Sequence, residues 1–134
     1  MREILFKAKT VSGNWVNGLL ANIGDKWYIS NKAGRPFAYE VRPETICQFT
    51  GLCDKYGNKI WENDIVKTVS DIYAQVKFGL YTTGFALEEC NQGFYVDFSD
   101  ETYLRHELGY WNNKVEVRGN IFDNPELLQE ESDE

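Results

Sequence analysis

The segment Thr50–Val66 constrains the fold of this chain more than any other, because two changes of chain direction are encoded within seventeen residues. Asp54 can accept hydrogen bonds from the backbone amides that follow it, and Gly57 can adopt a left-handed conformation at no steric cost. A tight turn closed by a glycine bulge is therefore predicted at residues 54–58. Such a turn joins antiparallel strands, which points to a β-rich fold.

A second turn is predicted where the apolar strand pattern is interrupted at residues 62–64 and resumes at Ile65. Asparagine is the non-glycine residue that best tolerates positive φ, so we expect Asn63 in or near the left-handed region. Backbone geometry, and not catalysis, is accordingly the predicted role of the four signature residues, which are Asp54, Gly57, Asn63 and Asp64.

The pattern T-G-L-x-D-x-x-G-x-x-I-x-E-x-D-I-V at residues 50–66 resembles the signature of the YopX family, small proteins of bacteriophages and prophages. Residues 41–46 resemble the segment that leads into this signature, and G-N-I-x-x-N-P-E-L-L at residues 119–128 is similar to the family's closing motif. The family usually has glycine where this chain has Asn63, which agrees with the positive-φ interpretation. The three motifs occur in matching order.

The resemblance implies a mostly-β protein with an SH3-like barrel or roll. We expect an N-terminal β-hairpin region at residues 1–46, the barrel core at 47–123, and a short C-terminal helix with an acidic tail at 124–134. An internal helix is predicted over Ser99–His106, where Ser99 or Asp100 can act as the N-cap. The family has no established activity, so the resemblance implies no reaction.

Composition favours a strand-rich protein of a cytoplasm, and the resemblance to phage and prophage proteins implies that this is the cytoplasm of a bacterial host. Aromatic residues make up 15% of the chain, and wide rings pack well on a pleated sheet. An odd number of cysteines without a C-x-x-C pattern favours reduced thiols, at Cys47, Cys53 and Cys90. No segment approaches the ~20 consecutive apolar residues of a membrane span, so no membrane association is expected.

The net charge of −7 is unevenly distributed along the chain. Residues 1–46 carry seven bases and four acids, whereas residues 123–134 carry six acids and no base. The overall acidity argues against non-specific binding to duplex nucleic acid, but the basic first third could still form a local binding face. The predicted face combines bases with aromatic rings and consists of Lys26, Trp27, Arg35, Phe37 and Arg42.

Catalytic chemistry is not predicted from this sequence. His106 is the single histidine, and no motif presents a nucleophile to it. The cysteine spacing does not suit structural zinc. Glu89, Asp97 and Asp100 could converge on a divalent cation, but solvated surface carboxylates are the favoured interpretation. We expect no enzyme, no metal site and no cofactor.

The favoured function is therefore a non-enzymatic binding module of a phage or prophage that acts through contacts with an unidentified protein. The alternatives are a protein that binds single-stranded nucleic acid through the basic first third, and a structural component of the virion or its assembly. A homo-oligomer is compatible with each of these. If the protein binds single-stranded nucleic acid, the acidic tail would compete for the basic face, unless Leu127 and Leu128 dock the tail on the protein.

Overall fold

The chain divides into two compact units, Met1–Gly51 and Leu52–Glu134. The structure is a computed structural model that describes residues 4–30, 38–82, 90–98, 103 and 105–129. The predicted organisation into segments at 1–46, 47–123 and 124–134 remains a prediction. The described residues are mostly β, as predicted.

Ten strands and one short α-helix lie in the described part of the chain. The strands are β1 (Phe6–Lys9), β2 (Trp15–Ile23), β3 (Lys26–Ser30), β4 (Tyr39–Val41), β5 (Cys47–Cys53), β6 (Lys59–Trp61), β7 (Asp64–Lys67), β8 (Tyr73–Thr82), β9 (Cys90–Asp97) and β10 (Glu116–Asn120). Helix α1 is Leu108–Trp111, and 3₁₀ turns occur at Pro43–Thr45, Asn112–Lys114 and Pro125–Leu128.

The first unit is built on an antiparallel sheet with the strand order β4-β3-β2-β1-β5, and β6 follows β5 in this order. The β2–β3 hairpin turns at Gly24, whose φ of 67° is readily adopted by glycine. Alternation then divides the side chains between two faces. Ala8, Ile29 and Val41 are buried on the inner face, with the partly buried Phe6, Val16, Leu20, Trp27 and Ile46 packed against them.

The second unit contains an antiparallel sheet with the order β10-β7-β8-β9. Its core combines residues from this sheet, from β6 and α1, and from positions next to β9 and β10. They are Ile60, Val66, Ala74, Val76, Val96, Phe98, Leu108, Trp111 and Val115. The buried Trp111 indole donates to the Arg105 carbonyl at 2.8 Å, which satisfies its polar atom within the core.

Of the predicted SH3-like barrel or roll, the mostly-β character is confirmed, but the described strands do not close into a barrel and make two antiparallel sheets with open strand orders. The reason lies at the turn between β6 and β7. Only Glu62 and Asn63 separate these strands, yet β6 follows β5 in one sheet whereas β7 pairs with β8 and β10 in the other. At this corner the chain passes from one sheet to the other, so the strands do not form a single closed sheet. The SH3-like arrangement remains a prediction.

The internal helix predicted over Ser99–His106 is wrong where the structure describes it. Tyr103, Arg105 and His106 are not helical, and the remaining residues of that range lie outside the described parts. The Val96 amide donates to the His106 carbonyl at 2.8 Å, and Glu107 forms a β-bridge with Tyr95. Pairing beside β9 therefore overrides the local capping signal, and α1 begins only at Leu108.

The predicted C-terminal helix is a 3₁₀ turn at Pro125–Leu128 rather than an α-helix. Pro125 occupies its first turn, as expected from its fixed φ. The Asn124 side chain makes no cap bond to this turn, because it accepts instead from the Asn120 amide at 3.2 Å. Leu127 and Leu128 are partly buried, whereas residues 130–134 lie outside the described range.

Candidate binding surfaces

The Asp54 carboxylate organises the first signature turn. Its Oδ1 accepts from the backbone amides of Tyr56 at 2.9 Å and Asn58 at 2.8 Å. Its Oδ2 accepts from the backbone amide of Val117 at 2.8 Å and from the Asn58 side chain at 3.3 Å. Gly57 has a φ of 87°, the left-handed conformation predicted for it. Both carboxylate oxygens are thus used for structure.

Asp54 is only 5% exposed, and its environment lowers the pKa of the carboxyl below the ordinary value of 3.8. Burial by itself would raise this pKa, because desolvation penalises the charged form. The hydrogen bonds from the Val117, Asn58 and Tyr56 amides stabilise the carboxylate and outweigh burial. Asp54 is therefore a charged structural group, which differs from the raised pKa expected of a general acid.

The second signature turn holds the corner between β6 and β7. Asn63 has a φ of 73°, so the prediction of a left-handed conformation is confirmed. Its backbone amide donates to Val76 O at 2.7 Å, and its carbonyl accepts from the Ile121 amide at 3.1 Å. The buried Asp64 carboxylate accepts from the Trp61 amide at 2.8 Å. The corner is thus tied to β8 and to the closing motif.

The closing motif forms a compact polar turn after β10. Asn120 Oδ1 accepts from the amides of Phe122 and Asp123, both at 2.9 Å, and the Asn124 amide donates to Asn120 O at 2.8 Å. A Cβ at Gly119 would lie 2.7 Å from Asn124 Cγ and 2.9 Å from its Cβ. Only glycine fits at this position without a shift of Asn124.

The predicted binding face is described only in part, because Arg35 and Phe37 lie outside the described residues. Lys26 is exposed, whereas Trp27 packs against the core of the first unit. Arg42 is exposed and donates from its guanidinium to Val11 O at 3.0 Å. Trp27 is on the same side of β3 as the buried Ile29, which removes much of its ring from solvent. The face as a whole remains a prediction.

A different basic and aromatic group lies on the outer face of the same sheet. Trp15 is directly opposite Lys9 in the register of β1 and β2. The Lys7 and Lys9 ammonium groups lie 4.8 and 5.5 Å from the centroid of the Trp15 ring. Leu19 and Ile23, further along β2, are 56% and 65% exposed. Sequence reasoning missed this group, although the i, i+2 spacing of Lys7 and Lys9 was a usable signal.

The β8–β9 hairpin forms a ribbon that extends past its pairing with β7. The hairpin register runs from Gln75↔Asp97 to Thr82↔Cys90, whereas β7 pairs with β8 only at residues 73–75. Phe78 and Leu80 are 51% and 70% exposed, two residues apart on one face of this ribbon. On the opposite face, Lys77 and Asp97 form a 2.7 Å ion pair.

The histidine, cysteine and carboxylate side chains considered for catalysis or metal binding are the last candidates. His106 Nδ1 is 3.1 Å from the Val96 carbonyl, and the Cys47 thiol is buried and 3.3 Å from Thr45 O. Glu89 and Asp100 lie outside the described residues. Within the described ranges, no group of three or more His, Cys, Asp or Glu side chains is arranged to hold a metal ion. None of the helices described there has the length and apolar character needed to cross a bilayer.

The fold and its polar turns define a small β protein with two sheets. Its signature residues stabilise the backbone conformation of the turns. The chain belongs to the YopX family: the family model described as YopX protein matches residues 7–129, nearly the whole chain. No curated protein matches the chain. The predicted family resemblance is therefore confirmed.

Proposed function

We propose that this protein is a non-enzymatic accessory module of a phage or prophage, acting in the host cytoplasm through contacts with another protein. The observation that carries this proposal is the exposure of Phe78 and Leu80 on one face of the β8–β9 ribbon. Contiguous exposed apolar side chains are typical of interaction sites, whereas isolated ones need no explanation.

These two side chains continue the core-facing side of β8. Ala74 and Val76, at the same alternation, are fully buried, and Phe78 and Leu80 follow them along the strand. Phe78 lies opposite Phe94, with ring centroids 5.0 Å apart in an edge-to-face arrangement. An apolar surface thus begins in the core and emerges on the ribbon. Covering both exposed side chains would contribute about 2–4 kcal/mol to association.

The proposal is tested with the ribbon variant F78S/L80S, in which both substituted side chains are largely exposed. The matched control is V11S/I23S, which removes two apolar side chains that are 59% and 65% exposed in the first unit. Host lysate is passed over each immobilised protein, and captured proteins are quantified by mass spectrometry. We expect at least one protein to be enriched by wild type and control and lost from the ribbon variant.

Two results would contradict this proposal: no reproducible partner for the wild type, or the same partners at the same levels on the ribbon variant. Sedimentation of the purified proteins is measured in parallel. If wild type forms a dimer that F78S/L80S does not, the ribbon binds a second copy of this chain, and the heterologous-partner proposal is replaced by a homo-oligomer.

A second candidate is binding of single-stranded nucleic acid, favoured by the outer face that carries Lys7, Lys9 and Trp15. Stacking on an aromatic ring combined with neutralisation of phosphates is the usual basis of such binding. The face brings two ammonium groups to within 5.5 Å of one indole ring. It differs from the predicted face, because it uses the opposite side of the sheet from Trp27.

The test is fluorescence anisotropy of a labelled oligothymidine at low ionic strength. We expect K7Q/K9Q to weaken binding about tenfold, whereas the charge-matched control K59Q/R118Q does not. Removal of residues 130–134 leaves the Pro125–Leu128 turn in place and is expected to strengthen binding, most clearly at low salt. Absence of binding by every protein at low salt would exclude this candidate.

A further inference from the structure

A pocket of about 440 Å³ in the second unit is separate from the ribbon surface. It is lined in part by Lys55 of the first signature turn, by Val69 and Ser70 of the β7–β8 turn, and by Trp111 of α1. This volume is in the range of pockets that hold small organic ligands. Neither Phe78 nor Leu80 lines the pocket, so the pocket and the proposed protein contact use different side chains.

Aromatic rings form one side of this pocket. Tyr103 and Trp111 pack edge to face, with ring centroids 4.7 Å apart and planes at 70°. Trp111 is further held by its hydrogen bond to the Arg105 carbonyl and by an edge contact with Phe98 at 5.1 Å. Since packing fixes these rings, the aromatic wall is present before any ligand arrives.

Two lysines make the same pocket positively charged. Lys114 Nζ donates to Tyr110 O at 2.9 Å and lies 4.1 Å from the centre of the Tyr110 ring, which positions the ammonium. Lys55 is also exposed, with its Nζ 5.3 Å from the Tyr56 ring. No lining residue in the described part of the chain carries a carboxylate. A local positive potential is therefore expected on a protein whose net charge is −7.

We propose that this pocket binds a small anionic ligand with a planar apolar body, such as an aromatic carboxylate, sulfonate or phosphate ester. The planar body would lie against Tyr103, Trp111 and Val69. The acidic group would be bound by Lys55 and Lys114, with the Ser70 hydroxyl as a further donor. A neutral ring lacks the ionic contribution, and a cationic one is repelled by both lysines.

The test uses anilinonaphthalene sulfonate as the probe, because it combines a planar apolar body with one permanent negative charge. Its fluorescence is titrated with the intact protein at neutral pH and moderate salt. We expect saturable binding with one probe per protein. The double variant K55Q/K114Q is expected to bind about tenfold more weakly, and V69E, which adds a negative charge at a side chain that is 77% exposed, to bind more weakly still.

The controls separate this pocket from other apolar or charged surfaces. K26Q/K59Q removes the same charge at exposed positions outside the pocket, and F78S/L80S removes the exposed ribbon side chains; both are expected to bind the probe like wild type. Thermal unfolding establishes that each variant is folded. The proposal is overturned if wild type does not bind, if K26Q/K59Q weakens binding as much as K55Q/K114Q, if V69E has no effect, or if F78S/L80S abolishes binding.

Discussion

Asp54 and Val117 are joined across 63 residues of sequence by one short hydrogen bond, in which the Val117 amide donates to Asp54 Oδ2 at 2.8 Å. The bond connects the first signature turn to β10, which leads into the closing motif. The Lys55 amide adds a second link to this segment, since it donates to Val115 O at 3.0 Å. Two motifs that are distant in the sequence are therefore parts of one structural unit.

Replacement of Asp54 by asparagine is expected to destabilise the protein by about 2–3 kcal/mol. The amide group would place an NH₂ donor where the carboxylate now accepts backbone hydrogen bonds, leaving a partly buried backbone amide without its acceptor. The measurement is urea denaturation at neutral pH, with the exposed Glu126→Gln as the control that also removes one carboxylate. Equal stability of D54N and wild type would contradict the structural role of Asp54.

The same carboxylate is expected to make stability dependent on pH in the acid range. The pKa of Asp54 is lowered in the folded protein, so its contribution to the free energy of unfolding is fully present above the ordinary pKa of 3.8 and is lost as the pH falls through the lower, folded pKa. The difference in unfolding free energy between wild type and D54N should therefore be constant from pH 7 to about 5 and shrink below about 4. A constant difference down to pH 2 would contradict this assignment.

Substitutions at Asn63 should separate backbone strain from side-chain bonding. Asn63→Ala retains a Cβ at a φ of 73° and loses the 3.0 Å bond from Gln75 Nε2 to Asn63 Oδ1, so a loss of about 1–2 kcal/mol is expected. Asn63→Gly, the residue usual in the family, loses the same bond without the strain and should be more stable than the alanine variant. Thermal unfolding of both variants checks the order, and a glycine variant less stable than N63A would argue against strain.

A Gly119→Ala substitution is expected to destabilise the protein by about 1–3 kcal/mol, because the new methyl group overlaps Asn124. Gly109→Ala is the matched control in α1, where an added Cβ meets nothing within 4 Å. The double variant G119A/N124G removes the overlapping side chain. A double-mutant cycle from urea denaturation should show coupling between the two sites: Gly119→Ala should lower the free energy of unfolding less in the N124G background, where the overlapping side chain is absent. Additive losses would contradict a steric origin.

Local chemistry made the signature turns predictable. Asp54 and Gly57 suit one turn type, and asparagine is the residue that can replace glycine at the positive φ of the corner. The prediction of an internal helix was wrong because it rested on a local signal alone. A capping signal near Ser99 predicted the helix, but His106 and Glu107 pair with β9. A local preference is weak compared with backbone pairing to a neighbouring strand, and a capping signal holds no information about that pairing.

The positions of the candidate binding surfaces could not be predicted from hydrophobic periodicity alone, because they depend on how the strands pair. Trp27 and Lys26 are adjacent in sequence, but their side chains point to opposite faces of β3. Residues that were predicted to form one binding face therefore lie on two different surfaces. Phe78 continues the alternation of the buried Ala74 and Val76, yet it is 51% exposed, because β7 pairs with only the first residues of β8. How far a neighbouring strand extends is set by the whole sheet.

By itself, the amino-acid sequence determined the family, the mostly-β character and the backbone geometry of Gly57 and Asn63, because these follow from short motifs and from the conformations that single residues tolerate. Only the tertiary structure decided that the chain changes sheets between β6 and β7, that Asp54 binds Val117, and that Lys55 and Lys114 share a pocket with Trp111. These outcomes arise from pairing between segments far apart in the chain, and the free energy of such pairing is distributed over many contacts that no local pattern records.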